Sequence, residues 1–101
     1  MGYLRPSTAV TLDNLTLTTV NTEYEQALRA DCKAFRIFSR TADVRMGIVT
    51  GSVANTAAST AEYLTIQTNT TYQQDNLYIP SMTLYFASGT ANAIVETIHW
   101  G

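Results

Sequence analysis

Only one cysteine, Cys32, and one histidine, His99, occur in the chain. An internal disulfide is therefore impossible, and a framework of disulfides of the kind that staples small secreted domains is excluded. A zinc site wants several Cys or His ligands, and this pair lies far apart in sequence. A nucleophile-base pair would have to recruit His99, which sits between Ile98 and Trp100 at the end of a strand-like run; it is expected there as an exposed or backbone-bonded imidazole. Cys32 follows Asp31, an acidic neighbour that raises a thiol's pKa, and reads as an inert small residue. No glycine-rich phosphate loop is present, and no cofactor is expected. Charged residues are scarce, at 14%. No apolar run reaches the ~18 residues of a membrane helix, and the start, Met1 to Pro6, lacks the apolar centre of a signal peptide. A soluble protein made in a cytoplasm, binding neither membrane nor nucleic acid, is the expectation.

The few charges are unevenly laid out. Residues 29–45 hold Arg29, Lys33, Arg36, Arg40 and Arg45 against Asp31 and Asp43, whereas residues 46–101 contain no Lys or Arg. Either the charges pair across neighbouring strands, or a basic edge meets an acidic surface on another subunit. Glu23 and Glu25 share one side of a strand and are the best carboxylate pair; a calcium site would instead crowd Asp, Asn and Gly into a short loop. Asn14-Leu15-Thr16 and Asn69-Thr70-Thr71 match a glycosylation sequon, a pattern that a threonine-rich chain produces by chance. Tyr63, Tyr72, Tyr78 and Tyr85 fall on different segments, which gives no aligned row of rings for a sugar or a base.

What the chain does have is alternation. Threonine-rich, half-apolar segments at intervals near ten residues predict eight or nine short strands and almost no helix: one antiparallel β-sandwich of jelly-roll or Greek-key type. Residues 1–8 read as an extended arm and 9–101 as the domain. Short strands are expected at Ala9 to Leu12 and Leu15 to Val20, flanking a turn at Asp13-Asn14. Further strands are expected at Glu23 to Leu28, Lys33 to Ser39, Val44 to Ile48 and Glu62 to Gln67, with a polar linker over Asn69 to Asp75. Gly51 to Thr60 is the one long loop. Tyr78 to Trp100 reads as two strands joined by a Ser-Gly turn, with Met82, Leu84 and Phe86 on one face of the first and Ile94, Ile98 and Trp100 turned to the core from the second.

An ordered set of short motifs carries a resemblance. Asn21-Thr22-Glu23-Tyr24-Glu25-Gln26-Ala27-Leu28 leads into Cys32-Lys33-Ala34-Phe35-Arg36-Ile37-Phe38-Ser39-Arg40. Tyr63-Leu64-Thr65-Ile66 follows, and then the run from Leu84 to Val95-Glu96-Thr97-Ile98-His99-Trp100. Over about Asn21 to Trp100 this resembles small structural proteins of tailed bacteriophages. The resemblance implies an all-β, non-enzymatic virion protein similar to capsid decoration or cement proteins, with the major capsid protein or other virion subunits as partners and a trimeric or dimeric state. It also leaves open a head-neck or tail-fibre part that grips a host-surface glycan. Expected contact residues are Tyr3, Leu4 and Arg5 of the arm, Arg36, Arg40 and Arg45 of the basic strands, and Ser52, Val53 and Asn55 of the long loop.

Overall fold

The computed structural model describes residues 10–54, 62–75, 77 and 82–101. These form β1 (Val10–Leu17), β2 (Tyr24–Ala27), β3 (Ala34–Ser39), β4 (Val44–Gly47), β5 (Leu64–Ile66), β6 (Thr71–Gln74), β7 (Thr83–Ala87) and β8 (Ala93–Trp100), and no helix occurs among the described residues. Sheet A runs β1-β8-β3-β6 and sheet B runs β2-β7-β4-β5, with every pairing antiparallel. The chain is thus an all-β antiparallel sandwich, and of the two expected connectivities it adopts the jelly roll.

One rule generates this order: the first half of the chain folds back along the second. β1 pairs with β8, β2 with β7, β3 with β6 and β4 with β5. Val10 with Trp100, Tyr24 with Phe86 and Val44 with Ile66 are centred on the same point of the sequence, so three of the four pairings keep one hairpin register. The β3–β6 pairing, with Phe35 opposite Gln74, is displaced from it by a single residue. Rolling the long ribbon lays β8 beside β3 and β7 beside β4 and closes both sheets.

Several expectations change with this topology. β7 and β8 are the two strands foreseen at the end of the chain, but they are not a hairpin: they lie in different sheets, and Ser88 to Asn92 carries the chain across the ~10 Å between layers. Asp13-Asn14 is not a turn. β1 runs straight through it, because Asp13 points inward to a hydrogen-bond partner and Asn14 sits opposite Glu96. The polar stretch before Asp75 contains β6, whose Tyr72 ring tilts against Phe35 at 6.1 Å. The arm at residues 1–8, and Tyr78 to Pro80, lie outside the described residues.

Alternation fills the core from both layers. Leu17, Val95, Ile37 and Phe35 point in from sheet A, and Val44, Met46, Ile66, Leu84 and Phe86 from sheet B. Each such side chain contributes about 1.5–3 kcal/mol through its removal from water. Cys32 joins this cluster with its thiol donating to the Ala34 carbonyl, and burial pushes that thiol's pKa up.

At the end where β1 leads into β2 and β7 into β8, asparagines stitch the connections together. Asn21, Asn69 and Asn92 all have positive φ, at 51°, 63° and 62°. Each turns its N–H onto a neighbouring segment: Asn21 to the Ser88 carbonyl, Asn92 to that of Leu17, and Asn69 to that of Ser39. Asparagine tolerates this left-handed region where most residues are strained. Asn92→Ala should therefore cost about 1 kcal/mol in urea unfolding, with Asn92→Gly costing clearly less.

The same end is held by Asp43, whose carboxylate accepts from the backbone N–H and hydroxyl of Thr68, at 2.8 and 2.9 Å. Those donors favour the charged form and lower its pKa. A depressed folded-state pKa adds stability that is present above the unfolded value and lost as pH falls through the folded one. The stability gap between wild type and Asp43→Asn should accordingly be widest near neutrality and close with acidification below the ordinary aspartate range, as read by denaturant melts across pH.

Candidate functional site

β8 is paired on both sides, so its two faces decide what each side of sheet A looks like. Ala93, Val95, Thr97 and His99 point inward and are all buried, while Ile94, Glu96, Ile98 and Trp100 point outward. This reverses the expectation that Ile94, Ile98 and Trp100 face the core. Two physical reasons account for it. Glu96 shares their parity, and an unpaired carboxylate in the core costs far more than the gain from burying two isoleucines. His99, by contrast, can enter the core as a neutral ring if both nitrogens are satisfied.

Both are. The backbone N–H of Arg29 donates to Nδ1 of His99 at 3.0 Å, so that nitrogen carries a lone pair and the proton resides on Nε2. Nε2–H then donates to Oδ2 of Asp13 at 2.9 Å, and Gln26 Nε2 donates to the same oxygen at 3.2 Å. The imidazole is 2% exposed, where an exposed or carbonyl-bonded ring was expected. Beside it, Arg29 reaches the Thr11 hydroxyl and the Asp31 carboxylate. The cluster joins β1, β8 and the chain just after β2, and pins the inward facing of β8. Removing the ring in His99→Ala leaves the Arg29 N–H unpartnered and opens a cavity, and should cost about 2–4 kcal/mol by chemical denaturation. Asp13→Asn retains an acceptor for Nε2–H and should cost about 1 kcal/mol or less.

The outward consequence is an apolar face across sheet A. Register places Val10 beside Trp100, Leu12 beside Ile98 and then Arg36, and Asn14 beside Glu96 and then Phe38. Leu12 is 73% exposed and Val10 43%. Two shallow depressions mark the face. One of about 360 Å³ lies between Leu12, Phe38, Arg40, Glu96 and Ile98, and one of about 290 Å³ lies between Val10, Ile98 and Trp100; Arg36 borders both. Arg40 pairs with Glu96 across β3 and β8, as the cross-strand reading of the charges expects.

Of the expected contact residues, Arg36 and Arg40 come together on this face. Arg45 does not: it projects from sheet B, where it donates to Asn21 Oδ1 and the Val53 carbonyl and lies 5.9 Å above the Tyr63 ring. Ser52 and Val53 are buried, because the chain after β4 folds back over Gly47. A Cβ at Gly47 would overlap Ser52 Oγ and lie 2.9 Å from Val53 Cγ1, which is why that position has no side chain. Glu23, half of the best carboxylate pair, accepts from the Gly51 N–H and the Thr50 hydroxyl and fastens this fold-back. Tyr3, Leu4, Arg5 and Asn55 lie outside the described residues. Tyr24 and Tyr72 pack against the core and Tyr63 under Arg45, so these rings do not line one face. Val10, Leu12, Ile98 and Trp100 were not among the expected contacts; the charge of Glu96 on their side of β8 is the sequence signal that would have turned them outward.

Fold and face together define a jelly-roll domain with an apolar outer sheet surface. No protein-family model matches the chain, and no curated protein matches it. Among solved structures it is similar to the solution NMR structure of a de novo designed double-stranded β-helix, at 11% identity and a TM-score of 0.54, over 92% of this chain and 99% of that one. That likeness concerns the fold alone.

Proposed function

We propose that this chain is a non-enzymatic structural subunit of a tailed-phage particle, most concretely a capsid decoration protein that binds neighbouring shell subunits through the outer face of sheet A. The observation that carries a binding role is the facing of β8, which spends its large apolar residues on the surface beside Val10 and Leu12. A contiguous apolar surface rimmed by charge is what a protein-protein contact needs. The resemblance over Asn21 to Trp100 supplies the virion context, and jelly rolls are frequent among capsid proteins, an argument from fold analogy.

Size sets the mechanism. Eight residues at ~3.4 Å per residue and four strands ~4.8 Å apart give a face of roughly 27 by 19 Å, below the ~800 Å² per partner of a standard stable interface. One copy held by this face alone binds weakly. Many copies, joined as dimers or trimers on a repeating shell, bind firmly because each engaged contact raises the effective concentration of the next. Quantitative mass spectrometry of purified particles should find on the order of hundreds of copies, as multivalent cover of a shell requires. A dozen or fewer would assign the protein to a neck or fibre and end the decoration reading.

A further inference from the structure

Resting on that reading of the sheet A face, we infer that Arg36 is a preset carboxylate receptor, and that the partner segment seated there presents an acidic side chain flanked by aliphatic ones. Arg36 borders both apolar depressions, beside Ile98 in register, with Leu12 on the far side of Ile98. Its guanidinium is held from one edge only. Nε–H and one Nη2–H both donate to Gln73 Oε1, at 3.0 and 2.8 Å. Gln73 is fixed in turn, because its Nε2 donates to the Asp75 carboxylate at 3.0 and 3.3 Å. The orientation of that amide follows from chemistry: an ionised carboxylate only accepts and a guanidinium only donates, so Oε1 must face Arg36.

The remaining edge, Nη1 with the second Nη2–H, has no partner among the described residues. It is the fork that matches a carboxylate with two parallel hydrogen bonds. Charge on the face favours an anion. Arg40 is neutralised by Glu96, which leaves Arg36, beside Ile98, as the cation of this face with no ion pair among the described residues. Preorientation by Gln73 lowers the entropy lost on binding, and the apolar surroundings strengthen the contact once water is displaced. Arginine and tryptophan beside such pockets are the residue types that dominate binding energy at interfaces.

The test uses acetyl-Leu-Glu-Leu-amide and acetyl-Leu-Gln-Leu-amide as probes on the full chain, followed by NMR at the Arg36 Nε–H and at the indole N–H of Trp100, the chain's single tryptophan. The glutamate peptide should move both signals and bind about ten-fold more tightly than the glutamine one, the margin of a charge-assisted pair. Arg36→Gln should erase the difference and Lys33→Gln should keep it. Equal binding of the two peptides, or shifts confined to the Arg45 surface, overturns the inference. A second arm uses particles lacking the protein. Wild type should bind and Arg36→Gln should lose about ten- to hundred-fold. Failure of wild type to bind defeats the decoration reading and leaves the peptide result to judge Arg36. Equal binding by Arg36→Gln defeats the receptor and leaves decoration standing. Self-association of wild type that Arg36→Gln abolishes would assign the face to a second copy and also overturn the inference.

Discussion

The structure depends on a histidine kept neutral inside a β-sandwich. β8 is the one eight-residue strand with neighbours on both sides, so its facing propagates to β1 and β3 through the register. A slip by one residue would exchange every side chain between core and surface. Leu17, Ile37 and Val95 make the inward choice favourable at one end of the strand, but Thr97 and His99 make it costly at the other. Thr97 Oγ1 is in fact buried without a hydrogen-bond partner among the described residues. What offsets the cost is the donor from Arg29 and the acceptor on Asp13, which satisfy both ring nitrogens at once. Partly met polar groups in a core destabilise, whereas fully met ones specify a single arrangement.

The surface follows from the same choice. With Thr97 and His99 inside, Ile98 and Trp100 have nowhere to go but out, and β1, antiparallel to β8, must present Val10 and Leu12 beside them. An apolar patch on this scale is a liability for an isolated domain and an asset for one that works against a partner. The patch is thus the other side of a core decision, and it persists because changing it would mean re-facing a central strand. Its charged residues are arranged by the same ladder: Arg40 meets Glu96 because β3 and β8 are neighbours, and Arg36 meets Gln73 because β6 flanks β3.

How much of this the sequence reveals depends on the range of the signal. Strand content, the inward parity of β7 and the sandwich class are local alternation and could be read directly. The jelly-roll order needed a longer view, because a Ser-Gly turn between two strands is as compatible with an inter-sheet arch as with a hairpin. β6 was hidden by polarity, since an edge strand with Gln73 and Gln74 has few apolar residues to announce it. Asp13-Asn14 imitated a turn because its acid is the partner of a histidine at the far end of the chain, a contact no local window contains. Arg36, Arg40 and Arg45 were expected as one basic group; Arg36 on β3 and Arg40 just after it do share a face, while Arg45, close in sequence, sits on the other layer because the chain changes sheets between β3 and β4.

β8 shows how such a misreading could be avoided. Apolar residues occupy both of its faces, so hydrophobic count alone favours burying Ile94, Ile98 and Trp100. The deciding residues are the polar ones. Glu96 on one face would enter the core charged, with only Arg40 at the strand's outer side to meet it; His99 on the other can enter uncharged and needs only one donor and one acceptor. Ranking two faces by the cost of their most polar member, rather than by the sum of their apolar ones, gives the observed facing and the apolar outer face of sheet A in the same step.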